Sequence, residues 1–355
     1  GHEVWLISMQ YWEGDPVQVR EGVHCAGVAP AVSLMGAPGR RSLREPLYFA
    51  RHVGRFLDSR TFDVLECINF PYLACFPAAR ACRRAGRPLV MTWFEARGVK
   101  GWLRHAGWRG APAALVERRL PGLTAHHTAI SPFTARRMER MFPRLRGRVR
   151  VIPCGVQGSG ADDIPRRRHQ LLWVGRLRMH KRADWLLDLM QKLRGETPDV
   201  HLHIVGDGEY RPFLEEQIRA RGLGGCIRIH PVLSDADLAR LRAESGAFLF
   251  SSRQEGFGMV VIEAMAAGLP VIAARSAESA AAELIDDGRN GLLASDRREW
   301  ANAIRRLFAD DALWDTLQSG GRRTAAGYDW DRAVLPAYET AMMEWIDRGE
   351  TGRQS

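Results

Sequence analysis

Residues 251–273 read SSRQEGFGMVVIEAMAAGLPVIA, and this stretch decides the fold. An apolar run closes on Ser251, glycines stand at 256 and 258, helical spacing begins near Met259, Gly268 stops it, and Val271 opens a second apolar run. Strand, tight turn, helix, strand is the repeating unit of a parallel sheet with helices on its faces. Gly256 and Gly258 permit a turn whose amides face an anion, and the helix from Met259 aims its positive end the same way. Glu263 falls one turn into that helix and Glu255 stands eight positions upstream. Carboxylates repel phosphate, so this pair is suited to accepting hydrogen bonds from hydroxyls.

Working outward, strands are expected at residues 171–174, 200–205, 227–229, 247–251 and 271–273, with helices at 184–193, 209–221, 235–243, 259–267 and 280–286. Loops that follow the strands of a parallel sheet reach one rim, where ligands bind. That rim would carry Gly175, Arg176 and Lys181, then Gly206, then Pro231, then Glu255, Gly256, Phe257, Gly258, Met259 and Val260. Two cations, several exposed amides and two carboxylates suit a diphosphate joined to a sugar and a ribose. Upstream, strands are expected at 4–8, 64–67, 88–93 and 129–131, and helices at 50–57 and 73–85. Residues 148–156 lead out of this half, and 157–169 have a linker's composition. Beyond residue 299 the chain is helical, with Trp300, Phe308, Trp314 and Trp330 expected in the core.

The second half resembles the donor-site signature of the retaining glycosyltransferases of family 4. VGRLRMHKRADWLLDL is similar to that family's phosphate-binding loop and following helix, HIVGDGEYRPFLEEQIRARGL to its next strand, turn and helix, and Glu255 with Glu263 to its E-x7-E pair. The resemblance implies an α/β GT-B fold, with two Rossmann-like domains facing a central cleft. It implies an N-terminal acceptor-binding domain at 1–158, a nucleotide-sugar-binding domain at 159–330, and a C-terminal helical segment, 331–355, packing back across the interdomain region. Arg176 and Lys181 would hold the diphosphate and stabilise its departure, Glu255 would meet the transferred sugar, and Glu263 the ribose. The amides of residues 257–260 would hold sugar and phosphate. The catalytic set is thus Arg176, Lys181 and Glu255, with no metal and no cofactor beyond the sugar nucleotide itself.

In the first half the match is looser. The family opens with a strand, a Gly-rich loop and a helix ahead of GHEV, whereas this sequence starts at Gly1-His2-Glu3-Val4. Trp93, Phe94 and Glu95 occupy the acceptor side, with Phe94 where the family has a histidine, and Pro153-Cys154-Gly155 replaces a turn written with Asn before Gly. Those departures keep open a non-catalytic nucleotide-sugar-binding homologue or partner subunit. A nicotinamide-dependent enzyme is disfavoured: Arg211 breaks G-x-G-x-x-G after Gly206, and no Tyr-x-x-x-Lys pair is present.

With 355 residues, 46% hydrophobic and 26% charged, the chain is sized for two globular domains. Its apolar runs fall far short of the roughly 18 residues a membrane span needs, and no signal peptide is read at its start. Six scattered cysteines without C-x-x-C fit free thiols in a reducing compartment. The net charge of +10 is uneven, with 24 Lys or Arg against 11 Asp or Glu up to residue 158 and 27 against 30 after it. This argues against nucleic acid and for an anionic or lipid-linked acceptor, with peripheral contact to an inner membrane surface from the cytoplasm. Asp235-Ala236-Asp237 spells the D-x-D of metal-dependent transferases but reads as a helix start capped by Ser234 or Asp235. His126, His127, His201 and His203 read as structural.

Overall fold

The structure, a computed structural model, describes residues 1–31, 44–157 and 165–349. Most of the expected linker, residues 158–164, and the chain end from residue 350 lie outside the described residues. Two compact units are present: Gly1–Ile130, Thr134–Val151 and the chain from Glu339 form the first, and Ser131–Phe133 with Ile152–Tyr338 the second. This division lies ahead of residue 158 for a structural reason. Val156 N donates to Tyr328 O (2.8 Å) and Trp330 N to Val156 O (2.9 Å), which stitches the segment after Val151 to the second unit.

In the first unit, β1 (Val4–Gln10), β2 (Val17–Arg20) and β3 (Val23–Pro30) form one sheet in the order β1-β3-β2. β2 runs antiparallel to β3. Sequence reading missed this hairpin, whose turn places Glu21 (φ 49°) and Gly22 (φ 81°) in the left-handed region, the backbone that a two-residue hairpin turn requires. β4 (Leu65–Ile68), β5 (Leu89–Trp93), β6 (His126–Ala129) and β7 (Val149–Val151) form a second, parallel sheet in chain order. Both sheets lie against one apolar cluster: Ile7 and Val28 from the first sheet and Leu65, Cys67 and Leu89 from the second meet Val53, Leu57, Ala78 and Cys82 of the covering helices.

The second unit holds one six-stranded parallel sheet of β8 (Arg167–Val174), β9 (His201–Val205), β10 (Ile227–His230), β11 (Ser245–Phe250), β12 (Val271–Ala274) and β13 (Leu292–Ala294). Its order is β10-β9-β8-β11-β12-β13, so the chain reverses direction across the sheet between β8 and β11. Such a reversal leaves a crevice at the carboxyl ends of the two strands. β11 and β12 are buried along their whole length, as strands covered on both faces must be, and they read as continuous apolar runs. Leu186, Leu189, Met190 and Leu193 from the helix Asp184–Arg194, Leu214 from Arg211–Ala220, and Trp300 and Ile304 from Arg297–Ala309 fill one face. Trp314 is buried as expected, Phe308 packs at the margin, and Trp330 departs from expectation at 41% exposed. Its edge covers Gly155, where a Cβ would meet the ring at 2.4 Å, so Trp330 closes a turn and leaves its other face to solvent.

The last helix, Leu335–Arg348, begins in the second unit and from Glu339 belongs to the first. There Glu344 pairs with Arg150 (2.9 Å), and Trp345 lies 5.5 Å from the His126 ring. No helix among the described residues is long and apolar enough to cross a membrane.

Candidate functional site

Close backbone approach brings the loops after β8 and β9 together. Gly206 (φ 144°) lies so near the first loop that a Cβ would sit 1.9 Å from Gly175 O, and at Gly208 (φ 154°) it would sit 2.4 Å from Leu177 O. Only glycine fits either position. The contacts are sealed by Gly175 N donating to Val205 O (3.0 Å), Leu177 N to Asp207 O (2.9 Å) and Tyr210 N to Leu177 O (3.0 Å). Gly206 N in turn donates to His230 O (3.1 Å), so the β10 loop with Pro231 joins the same rim.

The loop after β11 is tied in by side chains. Trp173 Nε1 donates to Ser251 Oγ (3.0 Å), and Ser251 Oγ donates to Lys181 O (2.8 Å). Lys181 is thereby held next to Glu255, and the two side chains form an ion pair with 22% and 19% of their surfaces exposed. Glu255 O accepts from Ala280 N (2.9 Å), which fixes the turn carrying Gly256. Gly258 (φ 111°) caps the helix Met259–Ala266, and a Cβ added there would lie 2.7 Å from Ala281 Cβ, so only glycine lets the turn pack this closely. Phe257 is buried 5.5 Å from the Tyr328 ring and anchors the turn, while Met259 and Val260 are half-buried at the helix start. Arg176 is exposed. Glu263 pairs with Arg242 of the helix Asp235–Glu244, a partner that sequence reading did not supply.

Gly175, Arg176, Lys181, Gly206, Pro231, Glu255 and the 256–260 turn therefore share the carboxyl rim of one sheet, with Glu263 one turn below it. At this rim the guanidinium of Arg176, the Lys181 ammonium and the positive end of Met259–Ala266 supply fixed positive charge. Glu255 and Glu263 supply acceptors. Among the described residues no group of three or more His, Cys, Asp or Glu side chains is gathered to hold a metal. Asp235 and Asp237 open a helix whose Ser234 hydroxyl accepts from Asp237 N (3.1 Å) and donates to Asp237 Oδ2 (2.6 Å), a capping arrangement.

The acceptor-side candidates separate in the first unit. Trp93 is fully buried, with Nε1 donating to His127 Nδ1 (3.2 Å) and its ring against Phe142, so it packs in the core. Phe94, 41% exposed, and Glu95 follow at the end of β5. They are held by Asn69, wholly buried, which donates to Glu95 O (3.0 Å) and accepts from Phe94 N (3.2 Å). Glu117, also buried, accepts from Arg97 N and Gly98 N (2.8 Å each) and from the Tyr72 hydroxyl (2.9 Å), pinning the next helix start. The Tyr72 hydroxyl is pushed far up by burial and the adjacent Glu117 charge. Neither Asn69 nor Glu117 carries a local sequence signal, because their partners lie 19 to 45 positions away.

His127 and His203 are neutral packing groups. His127 is lowered to about 4 by burial, and its Nε2 lies 3.1 Å from Thr124 O while Nδ1 accepts from Trp93. His203, also lowered to about 4 by burial, stacks on His230 with a ring nitrogen pair at 2.8 Å.

Comparison with known proteins agrees with this architecture. Residues 1–158 match the family described as Glycosyltransferase Family 4, and residues 168–310 the one described as Glycosyl transferases group 1. The D-inositol 3-phosphate glycosyltransferase of Jonesia denitrificans is 33% identical over 96% of this chain and 87% of its own length. That of Nocardioides sp. is 29% identical over 93% and 78%. Among solved structures, sucrose-phosphate synthase from Thermosynechococcus elongatus superposes with a TM-score of 0.76 at 21% identity, over 97% of this chain and 90% of that one. Two Rossmann-like units, the matches over both halves and a relative one-third identical over nearly its full length lead to one conclusion: the chain belongs to glycosyltransferase family 4, has the GT-B fold, and transfers a sugar from a nucleoside-diphosphate sugar to an acceptor.

Proposed function

We propose that the carboxyl rim of the six-stranded sheet is the donor site of a retaining transferase that needs no metal. The observation that carries this reading is the junction of Lys181 and Glu255, held together by Trp173 and Ser251 beside the Met259 helix end. The bond between the sugar's anomeric carbon and the diphosphate oxygen breaks with positive charge developing on the sugar. Arg176, Lys181 and the helix end stabilise the diphosphate as it departs, the step where fixed charge contributes most. An acceptor hydroxyl oxygen bonds to the anomeric carbon on the face the diphosphate has left, and its proton passes to a diphosphate oxygen. Glu255 accepts from a hydroxyl of the transferred sugar and Glu263 from the ribose. The amides of residues 257–260 complete the cradle.

The first unit takes the acceptor, with Phe94 and Glu95 at its binding surface. The basic excess before residue 158 suits an anionic or lipid-linked hydroxyl acceptor and peripheral attachment to an anionic membrane face on the cytoplasmic side, in preference to nucleic acid. The relatives named for D-inositol 3-phosphate support an acceptor that carries phosphate.

Calorimetry with UDP, GDP, ADP and TDP, with and without a chelator, tests the donor site. Lys181→Met is expected to weaken the preferred diphosphate by about 1.5–3 kcal/mol, the loss of a hydrogen bond to a charged group, and chelation to leave binding in place. Undiminished binding by Lys181→Met, or complete loss on chelation, would overturn the reading.

A further inference from the structure

We propose that Arg242 is a positioning residue for donor recognition: from the last turn of one helix it holds the carboxylate of Glu263 in the orientation that receives the ribose. The proposal rests on the assignment of Glu263 to the ribose made above and adds the group that fixes it. Arg242 and Glu263 belong to neighbouring helices, Asp235–Glu244 and Met259–Ala266, and their side chains pair through Nη2 and Oε2 with 15% and 31% of their surfaces exposed.

Three features separate this contact from an ordinary surface ion pair. First, Arg242 is largely desolvated, and its Nε is buried without a hydrogen-bond partner among the described residues. A guanidinium so placed depends on its direct ion pair with Glu263, with Asp235 a second, more distant carboxylate acting on it, because leaving a buried charge unpaired is costly. Second, the two helices are tied at their far ends. Arg166 donates to Arg242 O and Ser245 O (3.3 Å each) and also to Ala267 O, while Ser245 Oγ donates to Leu241 O (2.7 Å). The base of Arg242 is therefore fixed relative to the base of Glu263. Third, among the described residues the Glu263 side chain is engaged through Oε2 alone. A carboxylate has about four acceptor positions, so the pair leaves Oε1 to accept from a sugar hydroxyl at the rim. A side chain with three rotatable bonds becomes a fixed, ionised acceptor, and less rotamer freedom is lost when the donor binds.

The experiment compares ribonucleoside diphosphates with their 2′-deoxy analogues on the full chain by calorimetry, using UDP, GDP and ADP. The parent is expected to prefer the ribose form, and Glu263→Gln to lose that preference. Arg242→Met is expected to lower the ribose-to-deoxyribose affinity ratio at least fivefold while the deoxy form binds within twofold of parent. The double variant Arg242→Met/Glu263→Gln should match Glu263→Gln alone. An interhelical bridge with no part in recognition would lower the melting temperature and leave the ratio untouched. If Arg242→Met does not melt cooperatively, Arg242→Gln is read by ligand-induced melting shifts, with the same loss of ratio expected. A parental ratio in the folded Arg242 variant, alongside its loss in Glu263→Gln, overturns the proposal and leaves the ribose assignment standing. Absence of a ribose preference in the parent, or its survival in Glu263→Gln, overturns the assignment and the proposal with it.

Discussion

Glu255→Gln should separate nucleotide binding from sugar transfer in opposite directions. The Glu255 carboxylate is paired with Lys181, both side chains about one-fifth exposed. An incoming diphosphate must compete with that carboxylate for the ammonium. A pair open to this much solvent is worth about 1 kcal/mol, the upper end for screened ion pairs. Removing the negative charge while keeping the side chain's shape should therefore leave the free nucleoside diphosphate bound as well as before, or up to about fivefold more tightly. The sugar nucleotide should behave differently, because it loses a charged acceptor for a sugar hydroxyl. That loss, about 1.5–3 kcal/mol, corresponds to a fall in kcat/KM of roughly 10- to 150-fold. Calorimetry with the diphosphate and initial-rate kinetics with the sugar nucleotide would be run on variants that melt like the parent. Diphosphate binding weakened more than threefold would refute the reasoning, since Glu255 would then be a support that holds Lys181 in place. So would unchanged turnover.

Further outcomes follow from other parts of the fold. His127 is held neutral by burial, with its folded value near 4 below the ordinary 6.5. The unfolded chain therefore takes up the proton first, so the His127 contribution to stability is complete above pH 6.5 and is lost as pH falls toward 4; an NMR titration showing His127 protonated in the folded protein at pH 6 would contradict this. Asp235→Asn should leave transfer within twofold of parent, while Ser234→Ala costs about 1 kcal/mol of stability as a lost helix cap; a turnover collapse in Asp235→Asn, rescued by manganese, would restore the metal reading of that motif. Vesicle co-sedimentation should favour anionic over neutral lipid and fade at high salt, each basic group near the leaflet adding about 1 kcal/mol at best; equal binding to both lipids would end the proposed membrane contact.

The second unit was legible because its strands are apolar runs and its turns need glycine. Residues 171–174 and 247–251 announced β8 and β11, and Gly206, Gly256 and Gly258 mark loops where a Cβ has no room or the backbone turns sharply. β13, three residues from Leu292 to Ala294, is too short to show a period. In the first unit composition hides burial: β6 is wholly buried yet reads His-His-Thr-Ala, so the apolar pattern points to 129–131 instead. β2 and β3 escaped because their turn depends on a glutamate with positive φ, a conformation sequence rarely signals. Trp93 is ambiguous for a related reason, since a tryptophan whose indole N–H finds a partner in His127 is as much at home in a core as on a binding surface. The carboxylates of the proposed donor site are visible in sequence, but the cations that face them in the folded chain are only half so. Lys181 lay in a readable loop, whereas Arg242 is brought to Glu263 by the packing of two helices.

The most direct test of the donor-site assignment is mass spectrometry of mixtures that offer this chain several nucleotide sugars with inositol phosphate and neutral hydroxyl acceptors, run beside Lys181→Met. The parent is expected to join one donor's sugar to an acceptor with the anomeric configuration retained and to prefer a phosphate-bearing acceptor, and Lys181→Met to lower the rate at least tenfold. Transfer by Lys181→Met at the parental rate, or a product of inverted configuration, would contradict it.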